Sequence, residues 1–210
     1  MAGRQSGVRA VGVRSDVRAA GILYAAAGAL TWLVISLSEA VYPDYDVHTT
    51  AISALAALGS PTAAYTESVA VVWGLFWIVG SYILFRGGGK KGLMAANVLA
   101  GAGVLLAAAS PANVNGLVHA AGSILAFVPG AVAILLSYRV VESPLRYFTV
   151  PLGALSLLGT IVEFGARGSS FMNDTLGAGG WERVIIYPIL VWLVLFGGYL
   201  LGRAGDMKEI

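Results

Sequence analysis

Six apolar runs, each about as long as a bilayer is thick, decide what this chain can become. They cover roughly residues 19–41, 66–85, 92–109, 117–138, 145–166 and 181–201. A helix needs about 20 apolar residues to cross the hydrocarbon. In lipid its backbone must satisfy its own hydrogen bonds, which leaves helices and closed barrels as the only spanning forms. The last run is the purest, with no charged residue over 184–201. The pattern therefore predicts an all-α protein, a six-transmembrane-helix bundle. With 58% hydrophobic and 11% charged residues, the chain sits far from soluble domains, of whose residues about a quarter are charged.

Small residues set how such helices meet. The 28 glycines, with many alanines, let backbones approach closely where packing replaces the hydrophobic effect. Gly198 with Gly202, and Gly122 with Ala126, have the small-xxx-small spacing. Pro129, Pro151 and Pro188 fall inside spans four, five and six, where each removes a backbone donor and favours a kink. No internal repeat stands out. The chain has no cysteine, which excludes disulfides, Cys-ligated zinc, iron–sulfur clusters and a thiol nucleophile.

Residues 1–18 carry Arg4, Arg9, Arg14 and Arg18 and read as a basic cytoplasmic tail ahead of a membrane domain at 19–203, with a second short tail at 204–210. The first apolar run is too long for a cleaved signal, so it reads as a retained anchor. Orientation follows from Lys and Arg. Eleven of the 13 basic residues gather on one side: Arg4, Arg9, Arg14, Arg18, Arg86, Lys90, Lys91, Arg139, Arg146, Arg203 and Lys208. The opposite side has only Arg167 and Arg183, against Glu39, Asp44, Asp46, Glu67, Glu163, Asp174 and Glu182. Both termini are expected in the cytoplasm of a multi-pass cell-membrane protein, with the polar chemistry at the outer end. Nucleic acid is not an expected partner. Membrane lipids, the subunits of a membrane complex, or a second copy of the chain are.

The first outer loop has structure of its own. Residues 49–58 begin with Thr49 and end before Gly59-Ser60-Pro61, which is helix punctuation at both ends. Ile52, Leu55 and Leu58 repeat at three-residue spacing on one face. A short interfacial helix is expected there, lying on the membrane surface or folded over the bundle mouth. The outer aromatics Tyr42, Tyr45, Tyr65 and Trp181 read as an interface belt, and Trp73 and Trp77 as deeper packing. Asn173-Asp174-Thr175 fits the glycosylation acceptor pattern on an outer loop.

Five residues at that end are candidates for ligand binding: His119, Glu163, Arg167, Glu182 and Arg183. Glu163 and Arg167 stand four apart, the favourable order for a helical ion pair. A Glu163 turned inward would instead bind a cation or move a proton. Glu182 and Arg183 are adjacent, so they point about 100° apart and need partners elsewhere. Arg183 with Glu163, or Glu182 with Arg167, would brace the fifth and sixth spans. A free Arg183 would hold a phosphate or carboxylate through its planar fork. His48 in the loop and His119 in span four would ligate one haem b if the loop folds over the bundle, and with Glu163 or Glu67 another metal.

The series Tyr42-Pro43, Ile52-Ser53-Ala54-Leu55, Gly59-Ser60-Pro61, Asn115 with His119, and Gly180-Trp181-Glu182-Arg183 with Tyr187-Pro188 resembles a mainly prokaryotic membrane family, domain of unknown function 998. The likeness covers nearly the whole chain after the basic tail. The loop is more distantly similar to that of the FRAG/DRAM/Sfk group of six-span proteins. The resemblance implies a six-helix bundle with the loop helix near the outer mouth. Members commonly carry an acid after the loop Ser and a Gly after the Leu, where this chain has Ala54 and Ala56.

The leading functional expectation is a membrane protein with an outward-facing polar pocket that binds a lipid or small ligand, or serves as an accessory subunit. The alternatives are a redox subunit carrying haem b between His48 and His119, and a lipid-modifying enzyme using His119 and Glu163 as acid–base partners. An ion-coupled transporter is disfavoured by the few polar residues in the cytoplasmic halves of the spans, Asn97 being the main exception.

Overall fold

The computed structural model describes residues 2–206, with side chains from Gly12 onward. Lys208 and the side chains of Arg4 and Arg9, counted above on the basic side, lie outside the described residues. The described chain is all-helical. Its six long helices are α1 (Ala2–Val41), α2 (Ala63–Arg86), α3 (Lys91–Ala108), α4 (Gly116–Ser137), α5 (Arg146–Gly165) and α7 (Gly177–Asp206). A five-residue helix missed from the sequence, α6 (Ser170–Asp174), sits between the last two. All six long helices are long and apolar enough to cross a membrane.

Short connections between α2 and α3, α3 and α4, and α4 and α5 make these consecutive helices antiparallel neighbours. The order of contact follows the chain, α1 to α2, α3, α4, α5 and α7, and α7 returns against α1 to close the ring. Pro129, Pro151 and Pro188 all lie inside continuous helices. Helix α1 starts well upstream of the expected span, so Arg14 and Arg18 are helical. Arg14 Nε donates to Ala204 O at 2.9 Å, tying the start of α1 to the end of α7.

Close approach is built from small residues, though not all those expected. A Cβ added at Gly103 would lie 2.2 Å from Ala126 N, and one at Gly122 would lie 2.6 Å from Ala107 N. The α3 and α4 backbones therefore touch, through Gly122 and Ala126 as the spacing predicted. The Gly198–Gly202 pair does not work this way, because neither has a neighbour in reach of an added Cβ. The α7 contact with α1 is made one position earlier, at Gly197, whose Cβ would meet Ala25 N at 2.5 Å. A small-residue pair marks an interface only if the helix turns that face inward, and α7 is apolar enough all round to hide which face that is.

The interior is aromatic, and several of its polar groups pair with one another. Tyr24, Trp192 and Phe196 are fully buried and contact one another edge-on or stacked. Trp77 stacks on Trp73 at 5.8 Å and donates Nε1–H to Asn97 Oδ1 at 2.6 Å. Asn97 in turn donates to Leu93 O, and Tyr24 donates to Ser81 Oγ. Trp192 Nε1 donates to Ser137 Oγ at 3.0 Å. In lipid an unpaired polar group has no water to fall back on, so these bonds explain how Asn97 tolerates full burial.

Candidate functional site

The end of the bundle that carries residues 42–62 holds both the charge and the cavity. The expected helix at 49–58 is a shorter 3-10 turn, Ile52–Ala56, and Thr49 does not cap it; Thr49 Oγ1 donates to Asp46 Oδ2 instead. Three residues per turn is the 3-10 period, so Ile52 and Leu55 share a face and are buried. The turn stops at Ala56, which swings Leu58 out to 70% exposure. Of the two placements weighed from sequence, the turn adopts the one over the bundle mouth.

Three sets of bonds hold this lid down. Glu182 Oε2 accepts the backbone N–H of Ser53 at 3.1 Å. Asn113, in the α3–α4 connection, both accepts from Leu58 N and donates to Leu58 O, each at 2.9 Å. The third is a clamp around Arg183. Its Nη2 donates to Glu39 Oε1 at 2.5 Å and Tyr45 Oη at 2.8 Å. Its Nη1 donates to Val47 O at 3.2 Å and Gly179 O at 2.7 Å. Tyr45 passes its own proton on to Thr50 O. Burial pushes the Tyr45 phenol up to about 12, so it stays a donor at neutral pH. Gly179 is required here: a Cβ would fall 2.3 Å from Val47 O, and its N–H donates to His48 O at 3.0 Å.

These partners differ from the expected ones. Arg183 reaches α1 and the loop, not Glu163, and Glu182 reaches the loop, not Arg167. The 100° between adjacent helical residues is respected, but α7's charged face looks toward α1 and the lid. Glu163 and Arg167 pair with each other at 2.7 Å within α5. Glu163 is buried, and its second oxygen, Oε2, has no hydrogen-bond partner. The buried positions of α5 are Thr149, Gly153, Ser156, Gly159, Thr160 and Glu163, all small or polar.

Beneath the lid lies a cavity of about 100 Å³. Ile52, Ser53 and Ala56 roof it, and α1, α2, α3, α4 and α7 wall it. Of the five candidates, the cavity gathers His119 and Glu182 and leaves out Glu163, Arg167 and Arg183. It adds residues that sequence reasoning passed over or read as packing, above all Thr31 and Trp73. Thr31 Oγ1 and Trp73 Nε1 are buried without a hydrogen-bond partner. Native interiors rarely leave such groups unpaired. Nothing in the sequence separates Trp73 from Trp77, because both are buried tryptophans one turn apart and differ only in whether a partner such as Asn97 faces them.

His119 contributes one specific atom. Its Nδ1 lies 3.1 Å from both Ala107 O and Ser110 O. Carbonyls only accept, so Nδ1 carries the proton, and neutral His119 keeps its lone pair at Nε2. His48 is exposed on the loop beside the start of α7, where Gly179 N donates to its carbonyl, and it does not line the cavity. The two histidines are thus not brought to one cavity as axial haem ligation requires, and Glu163 does not hydrogen-bond to His119. No group of three or more His, Asp or Glu among the described residues is placed to hold a metal ion.

A closed ring of six membrane-spanning helices with a lidded cavity at one end defines the class: a multi-pass helical membrane protein. The profile of the family described as protein of unknown function (DUF998) matches residues 25–199, and the chain belongs to that family. No curated protein and no solved structure matches it.

Proposed function

We propose that this chain binds a small, mainly apolar molecule or part of a lipid in the cavity under the lid. The observation that carries the reading is a pair of unpartnered buried polar atoms, Thr31 Oγ1 and Trp73 Nε1, on two residues that line that cavity. An unpaired buried donor costs about 1–3 kcal/mol, and a bound molecule with an oxygen atom recovers it. The distribution of Lys and Arg supports an orientation with the cavity end away from the cytoplasm and both termini inside. The clamp supports a lid that stays closed over its occupant, because Arg183 is saturated by protein oxygens and holds loop and helices together.

A second reading, an accessory subunit, draws on a groove of about 480 Å³ on the lipid-facing side of α1 and α7, lined by Ala29, Trp32, Leu33 and Val194 among others. A partner's helix, or a second copy of the chain, would fill it. Native mass spectrometry of protein gently extracted from its membrane tests both. A stoichiometric small-molecule adduct that is lost in Ala70→Phe, which plugs the cavity, supports the first reading. Co-purifying subunits without an adduct support the second.

A further inference from the structure

We propose that the cavity selects an uncharged, ring-sized molecule bearing a hydroxyl or carbonyl oxygen, and that it rejects anions. This rests on the ligand-binding reading and names the chemistry of its ligand. Charge is the first argument. Glu67 and Glu182 line the cavity, and no Lys or Arg does. Arg183 follows Glu182 directly, yet it is spent on Glu39, Tyr45, Val47 O and Gly179 O. A phosphate or carboxylate would meet two acids with no cation at hand in a poorly solvated site.

Hydrogen bonding is the second. Trp73 Nε1 only donates, and Thr31 Oγ1 donates or accepts. Both lack partners and are 94% or more buried, at 6% and 2% exposure. An oxygen on the ligand accepts from Trp73 and shares a proton with Thr31. A cation offers Trp73 no lone pair. His119 also lines the cavity, and its neutral form, with Nδ1–H given to the two carbonyls, offers Nε2 to a ligand O–H.

Size and shape are the third. About 100 Å³ is somewhat below the engineered cavity of about 150 Å³ that takes up benzene, and this one is partly open. Val69, Val104, Phe127 and the Trp73 ring supply apolar walls. Water alone would satisfy the polar atoms and leave those walls wet.

Calorimetric titration of the detergent-solubilised full chain with phenol, toluene, benzoate and benzylamine tests this. Phenol is expected to bind about tenfold tighter than toluene, the worth of one hydrogen bond to an otherwise unpaired buried group. Benzoate is expected not to bind, and benzylamine, drawn to Glu67 and Glu182 but with no lone pair for Trp73, is expected to bind more weakly than phenol. Trp73→Phe keeps a ring on Trp77 and lacks the N–H, so phenol should fall to the toluene level. Thr31→Val, which removes the other orphan at constant volume, should also narrow the gap. Benzoate or benzylamine binding as tightly as phenol, toluene matching phenol in the unaltered chain, or both variants keeping the phenol preference would overturn the inference while the ligand-binding reading stands. Failure of all four probes would overturn the inference, and the ligand-binding reading would fall with it if native mass spectrometry also shows no adduct.

Discussion

Arg183 makes the sharpest demand on this structure. The residue is 9% exposed, and its guanidinium touches four oxygens, from α1, the loop and α7 itself. Arg183→Gln removes the charge and most of the fork. It leaves Glu39, whose side chain is only 19% exposed, as a carboxylate without its cation. Breaking a buried pair by deleting one partner costs about 3–5 kcal/mol. Glu39 keeps some access to solvent at the end of the bundle, which places the expected loss near the bottom of that range, about 3 kcal/mol. Glu39→Gln alone should cost less, and the double variant should recover part of the loss, with a coupling of about 1–3 kcal/mol. Arg183→Lys should restore little, because one ammonium cannot reach four acceptors spread over a planar fork. The assay is reversible unfolding in mixed micelles, with amide exchange followed over residues 45–55. A loss below about 1 kcal/mol with unchanged loop protection would refute the clamp.

Two further expectations follow from single residues. Burial raises Tyr45 to about 12, while an unfolded tyrosine titrates near about 10. Between those values the folded loop retains a proton that the unfolded chain has lost, so the stability from this phenol is complete below about pH 10 and is lost as pH rises through about 12. Melting curves at rising pH should fall more steeply for the unaltered chain than for Tyr45→Phe, and equal slopes would contradict the assignment. Gly103→Val places a branched side chain where even a Cβ would be 2.2 Å from Ala126 N. It should prevent α3 and α4 from packing, seen as loss of the folded species on size-exclusion chromatography, whereas Gly198→Val, facing open space, should be tolerated.

The spans were legible because their signal is long and redundant. Apart from the start of α1, every predicted boundary lies within five residues of the helix end and most lie within one; α1 departs because Arg14 and Arg18 continue the helix past the apolar stretch. The local pair Glu163–Arg167 was also legible, since four residues on one helix fix its geometry. The lid's position was half legible: Ile52 and Leu55 share a face at a spacing that suits a 3-10 turn as well as an α-helix, and only the loop's path decides that Leu58 leaves it. The partners of Glu182 and Arg183 were not legible, because they depend on how α7 is rotated against α1. Thr31 and Trp73 were least visible of all. A residue that matters through a missing partner has no sequence signal, and only the walls around it reveal the gap.

The central claim is that the lidded cavity holds a molecule that uses those two orphaned atoms. An experimental density map of the protein in nanodiscs made from its native membrane tests it directly. The account predicts non-protein density beneath Ile52 and Ser53, ring-sized and within hydrogen-bond distance of Trp73 Nε1. Isolated water peaks there, or a cavity collapsed so that Trp73 Nε1 bonds to protein, would contradict it.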